Sequence, residues 1–130
     1  MVRRVITFGT FDVFHVGHLR LLERARSHGD YLIVGVSTDK LNIEKKGRSP
    51  VYSQSERKEI VASLKCVDQV FYEESLELKG DYIGQFEAHV LVMGDDWSGK
   101  FDKFSSLSEV VYLPRTPAIS TTEVIEKIRY

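Results

Sequence analysis

Five short apolar runs, each leading into a polar turn and then a helical pattern, constrain this chain more than anything else in it. Val5-Ile-Thr-Phe8 ends at Gly9, and Tyr31–Val36, Gln69–Tyr72, Val90–Met93 and Val110–Leu113 follow. Their apolar residues run on rather than alternate, which predicts strands covered on both faces. Between them, Leu19, Leu22 and Ala25 mark one face of a helix ending near His28-Gly29. Ser53-Gln-Ser-Glu56 spells a capping box before Ile60, Val61 and Leu64, and Ser120-Thr-Thr-Glu123 spells another before Val124, Ile125 and Ile128. Residues from Tyr82 to Phe86 fit a further helix. Strand and helix therefore alternate from end to end. That order predicts an α/β fold: a Rossmann-like parallel sheet of about five strands, helices on both faces, and ligands at the carboxyl ends of the strands.

The length of 130 residues fits a single domain over 1–130. Hydrophobic residues make up 42% and charged residues 28%, an ordinary globular balance. With 18 basic against 19 acidic residues the net charge is −1, so no broad basic field suits nucleic acid. Any anion site must be local. Cys66 is the only cysteine, which excludes an internal disulfide and argues against a cysteine zinc site. A reducing, cytoplasmic setting is the expectation. No leader pattern follows Met1, and no apolar stretch approaches the ~20 residues of a membrane span.

Chemically loaded residues gather after the strands. Gly9-Thr-Phe-Asp-Val-Phe-His-Val-Gly-His18 joins the first strand to a helix. A helix start offers unpaired N–H groups and partial positive charge to a phosphate. His15 and His18, three apart, share a face of the first turn and can donate to phosphate oxygens as charge builds on them. The competing structural role is that one histidine caps the helix and the other sits half-buried. A His-x-x-His metal pair is the weaker reading, because only His28 and His89 remain and neither lies in a motif. After the last strand, Arg115 stands ahead of Ser120, Thr121 and Thr122, a guanidinium beside a row of hydroxyls that suits a triphosphate. Ser120 with Glu123 is also simply a good cap. Lys45, Lys46 and Arg48 form a basic cluster after the second strand, in a segment whose Gly47, Ser49 and Pro50 suggest mobility. Asp95, Asp96 and Trp97 follow the fourth strand. Adjacent carboxylates there suit nucleoside contacts more than metal.

Gly9-Thr-Phe-Asp12, His15-Val-Gly-His18 and Arg115…Ile119-Ser-Thr-Thr122 together resemble the cytidylyltransferase-like, H-x-G-H nucleotidyltransferases. The likeness extends over nearly the whole chain, through Leu22–Ala25, Gly29–Leu32, Ser37–Asp39, Val67-Asp68, Val92–Trp97, Gly99–Asp102 and Val110–Thr116. Within that family it resembles the bacterial branch that acts on glycerol 3-phosphate. The resemblance implies CTP and a small alcohol phosphate giving a CDP-alcohol and pyrophosphate, by direct in-line attack without a covalent enzyme intermediate. It also implies a homodimer, Mg²⁺ bound with CTP, and a product that feeds teichoic-acid-like polymers or another surface glycan.

By the same resemblance, His15, His18 and Arg115 serve the transition state. Gly9, Thr10 and Phe11 border the nucleotide and Asp12 organises the loop. Gly94, Asp95, Asp96 and Trp97 lie on the nucleoside side. Thr116, Ile119, Ser120, Thr121 and Thr122 hold nucleotide and phosphates. Lys45 and Lys79, with Arg48 near them, engage the acceptor phosphate. Lys65 stands where the family carries an arginine at the nucleotide, keeping the charge but not the planar fork. Pro117-Ala118 replaces the family's Glu-Gly, and the stretch from Lys45 to Arg57 carries one extra residue. Two rivals remain at this point: an adenylyltransferase using ATP, and a nucleotide-binding protein without turnover.

Overall fold

The computed structural model describes residues 1–114 and 120–129. The strands are β1 (Arg4–Gly9), β2 (Tyr31–Ser37), β3 (Gln69–Glu73), β4 (Val90–Gly94) and β5 (Glu109–Leu113). The helices are α1 (Val16–Arg26), α2 (Asp39–Lys46), α3 (Gln54–Ala62), α4 (Lys79–Gln85) and α5 (Thr121–Arg129). The sheet order is β3-β2-β1-β4-β5 and every pairing is parallel. The order reverses at β1, which puts a crevice beyond its carboxyl end.

The continuous apolar runs have the cause expected of them. Within β1, Val5 packs with Leu22 and Ala25 of α1 and Val61 of α3, whereas Ile6 and Phe8 pack with Ile83 of α4, Leu91 and Met93. Helices thus cover both faces, and a strand in such a sheet has no solvent side to make polar. Where Gly35 lies in β2, a Cβ would come within 2.7 Å of the Phe8 ring, so the missing side chain is what lets that ring pack against the sheet.

Two elements depart from the expectations. The segment after β2 reads as a loaded loop but folds at once into α2, capped by the Thr38 hydroxyl, which accepts from the Leu41 amide at 3.1 Å. Its eight residues bury only Leu41 and Asn42, while Ile43 is exposed, so the apolar signal is too short to stand out. Helix α4 begins at Lys79 rather than Tyr82, which makes Lys79 a helical and buried residue. Among the described residues no helix is long and apolar enough to cross a membrane.

Candidate active site

The carboxyl ends of the strands open onto a cleft of about 690 Å³. Of the residues singled out in the sequence, Gly9, Thr10, Phe11, Asp12, His15 and His18 line it from the β1–α1 loop. Gly94, Asp95, Asp96 and Trp97 line it from the end of β4, and Ser120, Thr121 and Thr122 from the start of α5. Lys45, Arg48 and Lys79 close the remaining side. Arg115, Thr116, Ile119 and the Pro117-Ala118 departure lie outside the described residues.

The β1–α1 loop is tightly determined. Phe11 and Val13 hold positive φ values of 55° and 45°, conformations that bulky residues seldom adopt and that surrounding structure must enforce. The enforcement is visible. Phe11 and Val13 are buried, and a Cβ on Gly9 would lie 2.8 Å from the tip of the Phe11 ring. The Asp12 carboxylate accepts from the amides of Val13 (3.0 Å), Val51 (2.8 Å) and Tyr52 (2.8 Å). One side chain therefore shapes its own loop and ties it to the segment before α3.

The two histidines both cap α1 and line the cleft, so the structural and functional roles coincide. His15 Nδ1 accepts from the Gly17 amide at 3.1 Å, and His18 Nδ1 accepts from the His15 amide at 3.3 Å. Accepting at Nδ1 requires a lone pair there, so each ring carries its proton on Nε2. The rings stack with centroids 3.8 Å apart. Burial, then the neighbouring His15, lowers the His18 pKa to about 4, with Asp12 opposing. Burial also lowers that of His15. At neutral pH both are uncharged imidazoles presenting Nε2–H donors. The rings thus take up the N-cap His15 amide and the Gly17 amide of the first turn, and turn their Nε2–H groups outward as donors. His15 Nε2 lies 3.4 Å from the Thr121 hydroxyl, which also donates to the Asp12 carbonyl at 3.3 Å. Ser120 keeps the plain capping role, accepting from the Glu123 amide at 3.1 Å.

Behind the loop sits a residue the sequence did not point to. Arg57 of α3 is completely buried. Its guanidinium donates to the carbonyls of Tyr52 (3.1 Å), Thr10 (2.9 Å) and Ser37 (2.7 Å), and to the Asp39 carboxylate (2.7 Å). It thereby gathers the ends of β1 and β2, the start of α2 and the approach to α3. Asn42 does similar work with neutral groups, accepting from the Thr10 hydroxyl at 2.9 Å and donating to the Ser37 hydroxyl at 2.9 Å. In sequence Arg57 reads as one more charge in Ser-Glu-Arg-Lys58. The one available signal was its place after a capping box and between strand ends already suspected of holding ligands.

On the opposite side, Lys45 is exposed at the end of α2, although the surrounding walls lower its pKa, with Glu73 opposing. Lys79 is buried and donates to Glu73 at the end of β3, also buried and likewise unmarked in the sequence. Burial raises the Glu73 pKa and Lys79 opposes that shift. On the β4 side, a Cβ at Gly94 would meet nothing within 4 Å, so the strand end is open to a ligand. Trp97 is 40% exposed and tilts against Phe101 with centroids 5.6 Å apart, leaving part of its surface to the cleft.

Lys65 does not join the cleft lining within one chain. It is exposed between α3 and β3, near Asp68, whose carboxylate accepts from the Leu32 amide at 2.8 Å. Leu32 is at the amino end of β2, so Lys65 lies toward the end of the sheet opposite the cleft of its own chain and is absent from that lining.

A cleft at the carboxyl ends of a five-stranded parallel sheet, with a capped His-x-Gly-His helix and lysines facing it, defines a nucleotidyltransferase site. The chain belongs to the cytidylyltransferase-like family, which matches residues 6–127. More particularly, it is 48% identical over 127 residues to the glycerol-3-phosphate cytidylyltransferase of Bacillus subtilis, covering 98% of each chain. It is 44% identical to that of Staphylococcus aureus, covering 98% of this chain and 96% of the relative. The fold also matches a lipopolysaccharide core biosynthesis protein of Thermoplasma volcanium, with a TM-score of 0.78 at 21% identity, over 89% of this chain and 99% of that one.

Proposed function

We propose that this chain transfers CMP from CTP to glycerol 3-phosphate, releasing pyrophosphate and forming CDP-glycerol. The near-full-length likeness to glycerol-3-phosphate cytidylyltransferases supports the substrates. The observation that carries the chemistry is that the His15 and His18 donors and the Lys45 ammonium face one cleft. A phosphate oxygen of the acceptor attacks the α-phosphorus of CTP. The new P–O bond forms as the bond to the bridging α–β oxygen breaks, and pyrophosphate leaves with that oxygen. The nucleophile is already anionic near neutral pH, so no side chain need take a proton from it. What the protein supplies is approach and charge compensation. The Nε2–H groups of His15 and His18 donate to phosphate oxygens, Thr121 adds its hydroxyl beside His15, and Lys45 and Arg48 draw in the acceptor phosphate. Arg115 contributes a guanidinium to the triphosphate, and the open end of β4 receives the nucleoside.

Mg²⁺ accompanies CTP in this reading. Among the described residues no three His, Cys, Asp or Glu side chains cluster around a metal position. Such a site suits an ion held chiefly by nucleotide oxygens and waters. The ion would help offset charge on the departing pyrophosphate. A homodimer is the proposed assembly. CDP-glycerol is an activated donor of the kind that teichoic-acid-like or other surface polymers consume.

Pyrophosphate release from CTP, glycerol 3-phosphate and Mg²⁺ by the purified protein tests the proposal. Release that needs both substrates and stops with chelator is expected. Turnover with ATP alone would overturn the cytidine assignment, and tight nucleotide binding without turnover would overturn the enzyme.

A further inference from the structure

Between β4 and β5 the chain is built from short turns. Asp95–Trp97 and Asp102–Phe104 are single 3-10 turns. Amides of the segment bond to nearby carbonyls within it: Ser98 to Asp95, Lys100 to Trp97 and Phe104 to Phe101, each at 2.9 Å. Single 3-10 turns have poor hydrogen-bond geometry and fix their own position weakly. Yet this segment carries Trp97 and Phe101, both on the wall of the cleft. The Trp97 indole keeps an exposed face there, and the buried Phe101 ring backs it at 37° to its plane. Phe101 stacks in turn on Phe104, with centroids 6.3 Å apart. Phe104 approaches α4 so closely that a Cβ at Gly80 would lie 3.1 Å from its ring.

Tyr112 anchors the segment to the sheet. It stands on β5 beside Met93 of β4, and its ring packs against the apolar layer that holds Phe101 and Met93. A phenylalanine would fill that place as well, so packing alone does not call for the hydroxyl. The hydroxyl accepts from the Phe101 amide at 3.0 Å and donates to the Asp102 carboxylate at 2.9 Å. A phenol has one proton to give and lone pairs to receive. Here both capacities go to two consecutive residues of the segment. The bonds fix the Phe101 backbone to β5, and the Phe101 ring supports the Trp97 indole. The transfer chemistry described above uses neither Tyr112 nor Asp102.

We infer that Tyr112 is a positioning residue for substrate binding: with Asp102 it clasps the β4–β5 segment to the sheet and so holds the Trp97 face in place at the cleft. The inference rests on the proposed cytidylyl transfer and adds a support for one wall of its site. A surface already in place binds its ligand without the cost of ordering itself, so loosening the clasp weakens binding of the substrate that meets Trp97. The bond-breaking step, served by donors on the β1–α1 loop, is left nearly as it was.

Trp97 is the only tryptophan in the chain, so its fluorescence reports this wall alone. Titrating the unaltered protein with CTP and with glycerol 3-phosphate identifies the substrate that shifts that emission more. Tyr112→Phe keeps the ring and removes the hydroxyl. It should change the Trp97 emission of the free protein and raise the Kd and KM of that substrate by about fivefold or more, with kcat and the other KM within about twofold. Asp102→Asn still offers an oxygen to the Tyr112 hydroxyl and should stay near the parent, whereas Asp102→Ala should move in the direction of Tyr112→Phe. Circular dichroism and thermal melting check the fold of each variant. The inference is overturned if neither substrate shifts Trp97 emission, or if Tyr112→Phe leaves emission and both KM values unchanged. It is equally overturned if kcat and both KM values change by one common factor that follows a lower melting temperature, since the clasp is then structural only. Failure of the unaltered protein to release pyrophosphate from CTP and glycerol 3-phosphate removes the cytidylyl-transfer reading instead, and the emission titrations still decide whether the clasp sets a binding wall.

Discussion

The two long walls of the cleft differ in how much of their structure is decided before a ligand arrives. On the nucleotide wall, from Gly9 to His18, Asp12 holds three amides, both imidazole Nδ1 atoms hold backbone N–H groups, and Thr10 is bonded to Asn42. Even the strained backbone at Phe11 and Val13 is fixed by burial. The segment from Lys45 to Tyr52 on the other wall is mostly exposed, and Asp12 grips it only at Val51 and Tyr52. Donors aimed at developing charge act best when they need no rearrangement. Cations that collect a small mobile phosphate can tolerate freedom. In the proposed reaction, that difference puts the chemistry on the fixed wall and acceptor capture on the loose one.

Removing a donor from the fixed wall should therefore have the largest effect. His18→Ala is expected to lower kcat by about a hundredfold or more while leaving CTP affinity within a few fold. Steady-state kinetics with direct nucleotide binding separates the two quantities. Loss of binding with turnover preserved at saturation would move His18 from the transition state to the ground state.

The link between the walls comes next. Arg57→Lys keeps a charge but loses the planar fork that reaches Thr10, Ser37, Tyr52 and Asp39 together. A stability loss of about 2 kcal/mol in urea unfolding is expected, because buried carbonyls lose their donors. Catalytic efficiency should fall about tenfold for both substrates, since each wall loses its shared support. Reduced stability with unaltered kinetics would show that the walls hold their positions independently.

Proton linkage offers a gentler probe of the fixed wall. The His18 pKa is about 4 in the folded protein, below the ordinary histidine value. Between those two values the unfolded chain binds a proton that the folded chain does not, so stability falls as pH drops through that window. From near pH 7 to near pH 5 the His18 contribution is a loss of up to about 2 kcal/mol. The unfolding midpoint of His18→Gln should fall less over that range than that of the parent. Equal falls would mean that His18 accepts its proton freely in the folded state.

The sequence made the fixed wall far more legible than its supports. Strand–helix alternation placed His15, His18, Asp95 and Lys45 at the correct end of the sheet, because right-handed crossovers leave little choice once parallel strands are assumed. Arg57 was hidden because its burial depends on carbonyls at Thr10 and Ser37, and no local pattern carries that information. Glu73 was hidden for the same reason, its meaning resting on Lys79. Helix α2 escaped because one buried leucine beside an exposed isoleucine makes no period.

Lys65, which stands away from the cleft of its own chain, yields the smallest expected effect. Its charge stands at the amino end of the sheet, beyond reach of the cleft in its own chain. Lys65→Ala should leave kcat and both KM values within about twofold, as surface substitutions away from a site usually do. The comparison of walls sharpens this further. A cation absent from both walls can influence the reaction only through a second copy of the chain that brings its amino end to the first copy's cleft. Measuring kcat of Lys65→Ala across a range of protein concentrations, beside sedimentation of the same samples, distinguishes the cases. A tenfold fall that appears only where the protein is dimeric would make the site a shared one, and the two walls described here would then be joined by a third.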